Sequence, residues 1–310
     1  EELIGATIDI RSIRFSATPE PTVPEVDEEG EQIAYVQSSG KVTFPDFSEE
    51  DAYTNFSDAF DALGEKGGTI IFQGTMTSFK DGTKPHGDVT VRGLDESEHT
   101  LNVTSQSNHV IKYGNVKFEN FDISYKNSDG TGATVYLDSQ GYTLTIGDDV
   151  NVLPLSNDSN DTAFAGAYYS NPTASNFVFD AEDITYSTIT TMYSSPADIH
   201  FTGHSNYVFN AGTFHNVFAG AFNTNSARNT YGHGDVYFTF NGGTYVPASD
   251  SGLVTTGNQR AGSRYGNVIF TINGGTFNNK RNAINFGSFT GNDTSYAKSD
   301  NPGTHAIIVN

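Results

Sequence analysis

Acidic side chains that could bind a cation are concentrated in the middle of the chain. Five of them fall at two neighbouring turns of the repeat described below: Asp148, Asp149, Asp180, Glu182 and Asp183. Carboxylate oxygens are ligands that Ca²⁺ prefers, although no stretch here has the spacing of a dedicated calcium loop. The other interpretation is that these are solvated turn carboxylates of an acidic protein. A calcium site is therefore one hypothesis for this cluster.

Lysines near this cluster add a second element of possible chemistry. A cation bound to the carboxylate of a sugar acid would neutralise it, and an unprotonated Lys or Arg could then remove the neighbouring proton. The candidates for such a base are Lys112, Lys117 and Lys126. No motif joins them to the acidic cluster. A calcium-dependent polysaccharide lyase is therefore the alternative hypothesis for this chain.

A third set of side chains, basic and aromatic, lies in the last third of the chain. Segments 227–231 and 259–265 occupy equivalent places in consecutive repeats, and basic residues continue beyond them. The set comprises Arg228, Tyr231, Gln259, Arg260, Arg264, Tyr265, Lys280 and Arg281. Aromatic faces and planar polar groups suit sugar rings, and arginine suits acidic sugars. If equivalent loops stack, these residues form a carbohydrate-binding groove; otherwise the arginines only offset the acidic surface.

Three near-copies of one phrase show which elements must position these residues. Asn-Ala-Gly-Thr-Phe begins at Asn210, Asn-Gly-Gly-Thr-Tyr at Asn241 and Asn-Gly-Gly-Thr-Phe at Asn273. The asparagines are 31 and 32 residues apart, and each follows a run of alternating apolar residues. A strand, a glycine turn and another strand, repeated at a fixed period, indicate a solenoid.

Fainter copies extend this repeat over most of the chain. The last apolar residues before the turn align as Phe72, Val91, Phe118, Ile146, Phe179, Phe209, Phe240 and Ile272. The pattern predicts a right-handed parallel β-helix of about eight or nine rungs, with inward aliphatic and aromatic side chains. Glycine pairs suit tight bends, and the three turn asparagines should hydrogen-bond to one another above Asp180.

The two ends of the repeat also carry signals. Apolar residues at helical spacing in 55–63, followed by Gly64, predict a short helix that caps the first rung. Residues 1–31 are expected to be an extension with an acidic, proline-rich linker, and 32–310 the β-helix domain. Ala306 to Asn310 match the next strand and its asparagine, so we expect this chain to belong to a larger protein.

The predicted domain opens with Gln-Ile-Ala-Tyr-Val at 32–36 and Ser-Ser-Gly at 38–40, followed by the helix and by Gly-Gly-Thr-Ile at 67–70. This opening resembles that of pectin-lyase-like right-handed β-helix proteins. The Asn-Gly-Gly-Thr rungs look like those of adhesin-like surface proteins from gut and rumen microbes. Together these likenesses cover about nine tenths of the chain. They imply the fold but not the activity, because such proteins include lyases, hydrolases and non-catalytic binders.

A polygalacturonase-type hydrolase is a further hypothesis for this chain, and the sequence favours it less than the lyase. Asp129, Asp148 and Asp149 resemble that family's aspartates, but His233, in a Gly-His-Gly triplet, follows Asp149 by 84 residues. Two carboxyls must flank one bond at roughly 6.5–9.5 Å in inverting enzymes, and residues several rungs apart cannot do this. His233 also occupies the strand-entry position that Tyr265 occupies in the next repeat.

Composition limits the partners and the location. The formal charge is −21, which disfavours nucleic acid and anionic membranes, and the chain has no cysteine for disulfides or thiol catalysis. No run of apolar residues is long enough for a transmembrane helix. We expect an extracellular or cell-surface domain, monomeric, that binds plant cell-wall or host polysaccharide without catalysis. A purely structural stalk is the third hypothesis.

Overall fold

The computed structural model describes residues 25–26, 30–95, 99–102, 109–124, 137–153, 164–165, 173–193, 199–222, 230–246, 254–255, 262–278, 284–285 and 303–310. Within them the chain is a parallel β-helix solenoid with an N-terminal helix, which confirms the predicted fold class. The predicted boundary at residue 31 stays a prediction. The described part of the chain holds no helix long and apolar enough to cross a membrane.

One long sheet runs the length of the solenoid. Its strands, in spatial order, are Glu25–Val26, Gln32–Val36, Gly68–Phe72, Val89–Gly93, Val116–Glu119, Thr143–Ile146, Ser175–Phe179, Ser205–Phe209, Val236–Phe240, Val268–Ile272 and His305–Val309. Glu25–Val26 is antiparallel to its neighbour. The ten others are parallel to one another. They include Gln32–Val36, which lies ahead of the helix and pairs with Gly68–Phe72 as an additional rung.

The other strands of each rung form shorter sheets beyond the turn. One contains Thr75–Met76, Thr100–Asn102, Phe121–Ser124 and Val150–Leu153. A second contains Phe164–Ala165, Thr185–Tyr193, Thr213–Phe222, Thr244–Tyr245, Thr276–Phe277, Val254–Thr255 and Ile284–Asn285. The remaining parallel pairings join His109–Val110 to Leu137–Asp138, and Ile199–Phe201 to Thr230–Gly232 and Gly262–Arg264. Lys41–Thr43 and Glu49–Asp51 form an antiparallel hairpin.

The cap forms as its sequence predicts. The α-helix α1 spans Phe56–Leu63, and the Asn55 side chain accepts a hydrogen bond from the Asp58 backbone N–H at 3.0 Å. Gly64 ends the helix with a φ of +56°, which glycine adopts without strain. Phe56 and Phe60 are buried against the first rungs, so α1 covers the apolar interior at that end.

The turn asparagines form the predicted ladder. Asn310 donates its side-chain N–H to Asn273 (2.6 Å), Asn273 to Asn241 (2.7 Å) and Asn241 to Asn210 (2.8 Å). Asn210 donates to the Asp180 carboxylate at 2.5 Å. Every side chain therefore donates toward the N-terminal end, and a carboxylate that can only accept ends the series.

Aromatic rings stack in register inside the solenoid. Phe209 lies between Phe179 and Phe240, with ring centroids 5.1 and 4.9 Å apart and planes within 14°. Phe214 meets Phe209 edge-on at 5.1 Å. Tyr186 is fully buried and stacks on Phe214, and burial raises its pKa. Offset stacks and edge contacts of this kind stabilise the core beyond the contribution of the buried apolar area.

We expect Phe209→Ala to lower the free energy of unfolding by about 3–5 kcal/mol, because it removes a buried ring from the middle of a stack. Val208→Ala on the same strand faces outward and should cost about 1 kcal/mol or less. Denaturant unfolding followed by circular dichroism measures both variants. Equal losses for the two would contradict this description of the core.

Candidate functional site

The outer face of the long sheet carries a continuous row of hydrogen-bonding side chains. It lies one residue before the buried row that contains Val89, Val116 and Leu144, and the parallel register brings its members together across six rungs. This polar row consists of Asp88, Asn115, Thr143, Asn176, Asn206 and Tyr237. All six side chains are exposed or half-buried. At about 4.8 Å per rung, the row is roughly 24 Å long.

Hydrogen bonds along the polar row hold its side chains in place. The Asn115 side-chain N–H donates to the Asp88 carboxylate at 2.9 Å, and the Asn206 side-chain N–H donates to Oδ1 of Asn176 at 2.8 Å. Oδ1 of Asn115 accepts a hydrogen bond from the Thr143 backbone N–H at 2.9 Å. Each amide has further donor or acceptor capacity, so the row offers ordered hydrogen-bonding groups to a ligand.

The N-terminal end of the polar row lies in a groove of about 660 Å³. Asp88, Asn115 and Thr143 line it, together with Glu31 and Lys66. Glu31 comes before α1 in the chain and Lys66 comes after it. The residues that line the groove are scattered along the sequence and form no motif. This groove was not predicted from the sequence, because its walls meet only when the first rungs stack.

The other end of the polar row is the exposed ring of Tyr237, and a second exposed ring, Tyr265, lies on the next rung. The relative exposure of Tyr237 is 41% and that of Tyr265, on the next rung, is 40%. The His233 ring stacks on Tyr265 with centroids 4.9 Å apart and planes within 9°. The Asp235 carboxylate raises the pKa of Tyr237 by its charge and accepts the phenol hydrogen bond at 3.2 Å. Tyr237 therefore stays a protonated donor near neutral pH.

The predicted basic and aromatic residues are only partly within the described residues. Tyr265 is exposed and stacks on His233, which enters the strand that carries Tyr237. Tyr231 pairs in register with Ser263, and Gly232 pairs with Arg264, so the strands that end these two equivalent segments are stacked. Five predicted members of the groove lie outside the described residues: Arg228, Gln259, Arg260, Lys280 and Arg281. Their groove stays a prediction.

The acidic cluster lies at the turns of two adjacent rungs. Asp148, Asp149, Glu182 and Asp183 line a cleft of about 400 Å³, whereas Asp180 ends the asparagine ladder. Within the described ranges, no group of three or more Asp, Glu or His side chains is arranged to hold a metal ion. The calcium site stays a prediction.

The lysine nearest to this cluster is held in its charged form. Lys117 Nζ lies 2.5 Å from Glu119 Oε1. The hydrogen bond to Glu119 raises the pKa of Lys117, and the charges of Asp148 and Asp180 raise it further. A base for proton abstraction must be unprotonated, so this environment opposes that role. Lys112 is exposed, and Lys126 lies outside the described residues.

The two halves of the hydrolase motif are far apart. Asp149 follows the strand Thr143–Ile146, and His233 precedes the strand Val236–Phe240, three rungs further along the long sheet. At about 4.8 Å per rung the separation along the axis is roughly 14 Å. His233 instead stacks over Tyr265, as expected for a strand-entry residue.

Comparison with protein-family models, with curated proteins and with solved structures finds no match. The support for a function therefore comes from the geometry of this chain.

Replacing Glu119 by Gln should lower the pKa of Lys117, because it removes the negative hydrogen-bond partner that contributes most to the raised value. Side-chain NMR of Lys117 across alkaline pH measures the change. An Asp88→Asn variant is a suitable control, since Asp88 is not among the groups that raise this pKa. A Lys117 pKa that is unchanged in Glu119→Gln would contradict this assignment.

Proposed function

We propose that this protein is a non-catalytic, extracellular polysaccharide-binding module of a cell surface. The observation that carries the proposal is the polar row, which crosses six rungs and ends at the exposed ring of Tyr237, with the exposed ring of Tyr265 on the next rung. An extended polymer can lie along such a row and contact one rung after another. The N-terminal groove and the aromatic end then become two ends of one binding track.

The chemistry of the row favours a hydroxyl-rich ligand. From Thr143 to Tyr237 its side chains are hydroxyls and amides without charge, and these exchange hydrogen bonds with sugar hydroxyls as readily as with water. Tyrosine faces supply apolar contact for sugar rings while the phenol groups stay hydrogen-bonded. A net charge of −21 repels polyanions such as nucleic acid. Plant cell-wall and host glycans are therefore the ligand classes we propose.

The basic loop residues extend this proposal. Arg228, Gln259 and Arg260 precede the stacked strands Thr230–Gly232 and Gly262–Arg264. Their segments therefore lead into the rungs that carry His233 and Tyr265. We assign them the recognition of acidic substituents on the same polymer, since guanidinium groups bind carboxylates in a bidentate manner.

The Tyr237→Ala and Tyr265→Ala variants should bind polysaccharide more weakly. Each change removes an exposed ring and should cost about 1–2 kcal/mol, or roughly a tenfold rise in Kd. Affinity electrophoresis in gels that contain cellulose, xylan, pectin or mucin measures the retardation of each variant.

Phe47→Ala is the matched control for these variants. Phe47 is an even more exposed aromatic residue, at 87%, but it lies in the hairpin between Lys41–Thr43 and Glu49–Asp51 and not on the polar row. Its loss should leave retardation unchanged. If the wild-type protein is not retarded by any of the gels, the structural-stalk alternative is favoured. Equal effects of all three substitutions would place the site elsewhere.

A calcium-dependent polysaccharide lyase is the second candidate, and the acidic cleft at Asp148, Asp149, Glu182 and Asp183 favours it. The charged state of Lys117 opposes it. We expect no unsaturated product when the protein is incubated with polygalacturonate and Ca²⁺ at neutral to alkaline pH. Formation of product that is abolished by EDTA and by Asp149→Asn would replace the binding proposal by the lyase.

A further inference from the structure

Two members of the asparagine ladder, Asn241 and Asn273, are each followed by glycine. In an Asn-Gly pair the glycine backbone nitrogen can attack the side-chain amide carbon. The bond from that carbon to the amide nitrogen breaks, ammonia leaves, and a succinimide ring forms. Water then opens the ring to Asp or isoaspartate. Glycine permits the attack because it has no Cβ to shield its nitrogen and the backbone rotates freely.

The fold requires glycine at these positions. A Cβ on Gly242 would overlap the carbonyl oxygen of Asn210, and a Cβ on Gly274 would overlap that of Asn241. Neither residue has a positive φ, so the close approach of the rung below is the reason for glycine here. The ladder in turn requires the preceding asparagine. The reactive pair therefore follows from the close approach at these two rungs, whereas the equivalent pair one rung earlier is Asn210-Ala211.

The attacking nitrogen is occupied in the folded chain. The Gly242 N–H donates to the Phe209 carbonyl oxygen at 3.1 Å, and the Gly274 N–H donates to the Phe240 carbonyl oxygen at 3.1 Å. The asparagine N–H before each glycine donates to the same carbonyl oxygen. To reach the side-chain carbon, the nitrogen would have to leave these hydrogen bonds.

The side-chain amide is held at both of its ends. The Asn241 nitrogen donates to Asn210, and its oxygen accepts from Asn273. The Asn273 nitrogen donates to Asn241, and its oxygen accepts from Asn310. Rotation of either amide toward the following glycine breaks two hydrogen bonds, and their loss opposes that rotation.

We propose that Asn241 and Asn273 are latent deamidation sites that the ladder keeps unreactive in the folded protein. Release of either amide exposes the adjacent Asn-Gly pair to conversion into Asp or isoaspartate. The product Asp no longer donates to the asparagine below it, so each conversion removes one rung-to-rung hydrogen bond. Isoaspartate also lengthens the backbone at a tight turn. This modification is independent of the proposed ligand.

The test frees the two sites separately. Asn210→Ala removes the acceptor of the Asn241 amide, and Asn310→Ala removes the donor to the Asn273 oxygen. Each protein is incubated at mildly alkaline pH, and deamidation at each site is measured by peptide mapping and mass spectrometry. Asn210→Ala should accelerate conversion at Asn241 and Asn310→Ala at Asn273. The expected factor is about fivefold, which corresponds to one net hydrogen bond.

Ile123→Val is the control for general loss of stability. Ile123 is fully buried in the strand Phe121–Ser124, which belongs to a different sheet. This variant should leave both sites at the wild-type rate, and the chain unfolded in urea should deamidate fastest at both. The proposal is overturned if the folded and unfolded wild-type chains react at equal rates. It is also overturned if either ladder variant accelerates both sites equally, or if Ile123→Val matches them.

Discussion

Parallel stacking in register is the constraint on which the rest of this structure depends. Each residue of the long sheet lies about 4.8 Å from its counterpart one rung earlier, and the ladder hydrogen bonds of parallel strands fix that spacing. A side chain therefore meets a side chain of the same register position, whatever their separation in sequence. Side chains of the same kind are therefore brought together repeatedly. Such a stack is stable only where these side chains pack against or hydrogen-bond to one another.

Inside the solenoid, stacking suits aromatic rings and amides. The stack from Phe179 through Phe209 to Phe240 places faces against faces, and edge contacts from Phe214 close its side. At the turn, an amide can donate to the amide below and accept from the one above. A carboxylate accepts hydrogen bonds but cannot donate them, so it fits only at the accepting end of the series, where Asp180 lies.

Outside the solenoid, the same register turns scattered polar residues into a surface feature. The polar row begins with a carboxylate, continues through amides and a hydroxyl, and ends at Tyr237. The ion pair of Lys117 with Glu119 lies on the strand that follows Asn115. The face thus combines ordered hydrogen-bonding groups with exposed rings in a strongly acidic molecule. These properties fit an extended, hydroxyl-rich polymer better than a nucleic acid or a reaction that needs a free lysine base.

The sequence by itself determined the repeat, the ladder and the cap, because each depends on local signals that recur: the Asn-Gly turn, the alternating strand and the helical spacing of 55–63. It also indicated that His233 occupies a strand-entry position. The tertiary structure alone decided the polar row and the groove at its N-terminal end. Asp88, Asn115, Thr143, Asn176, Asn206 and Tyr237 share no motif and lie many residues apart. Only the exact pairing of each strand with the next makes them neighbours, and a shift of one residue would turn them inward.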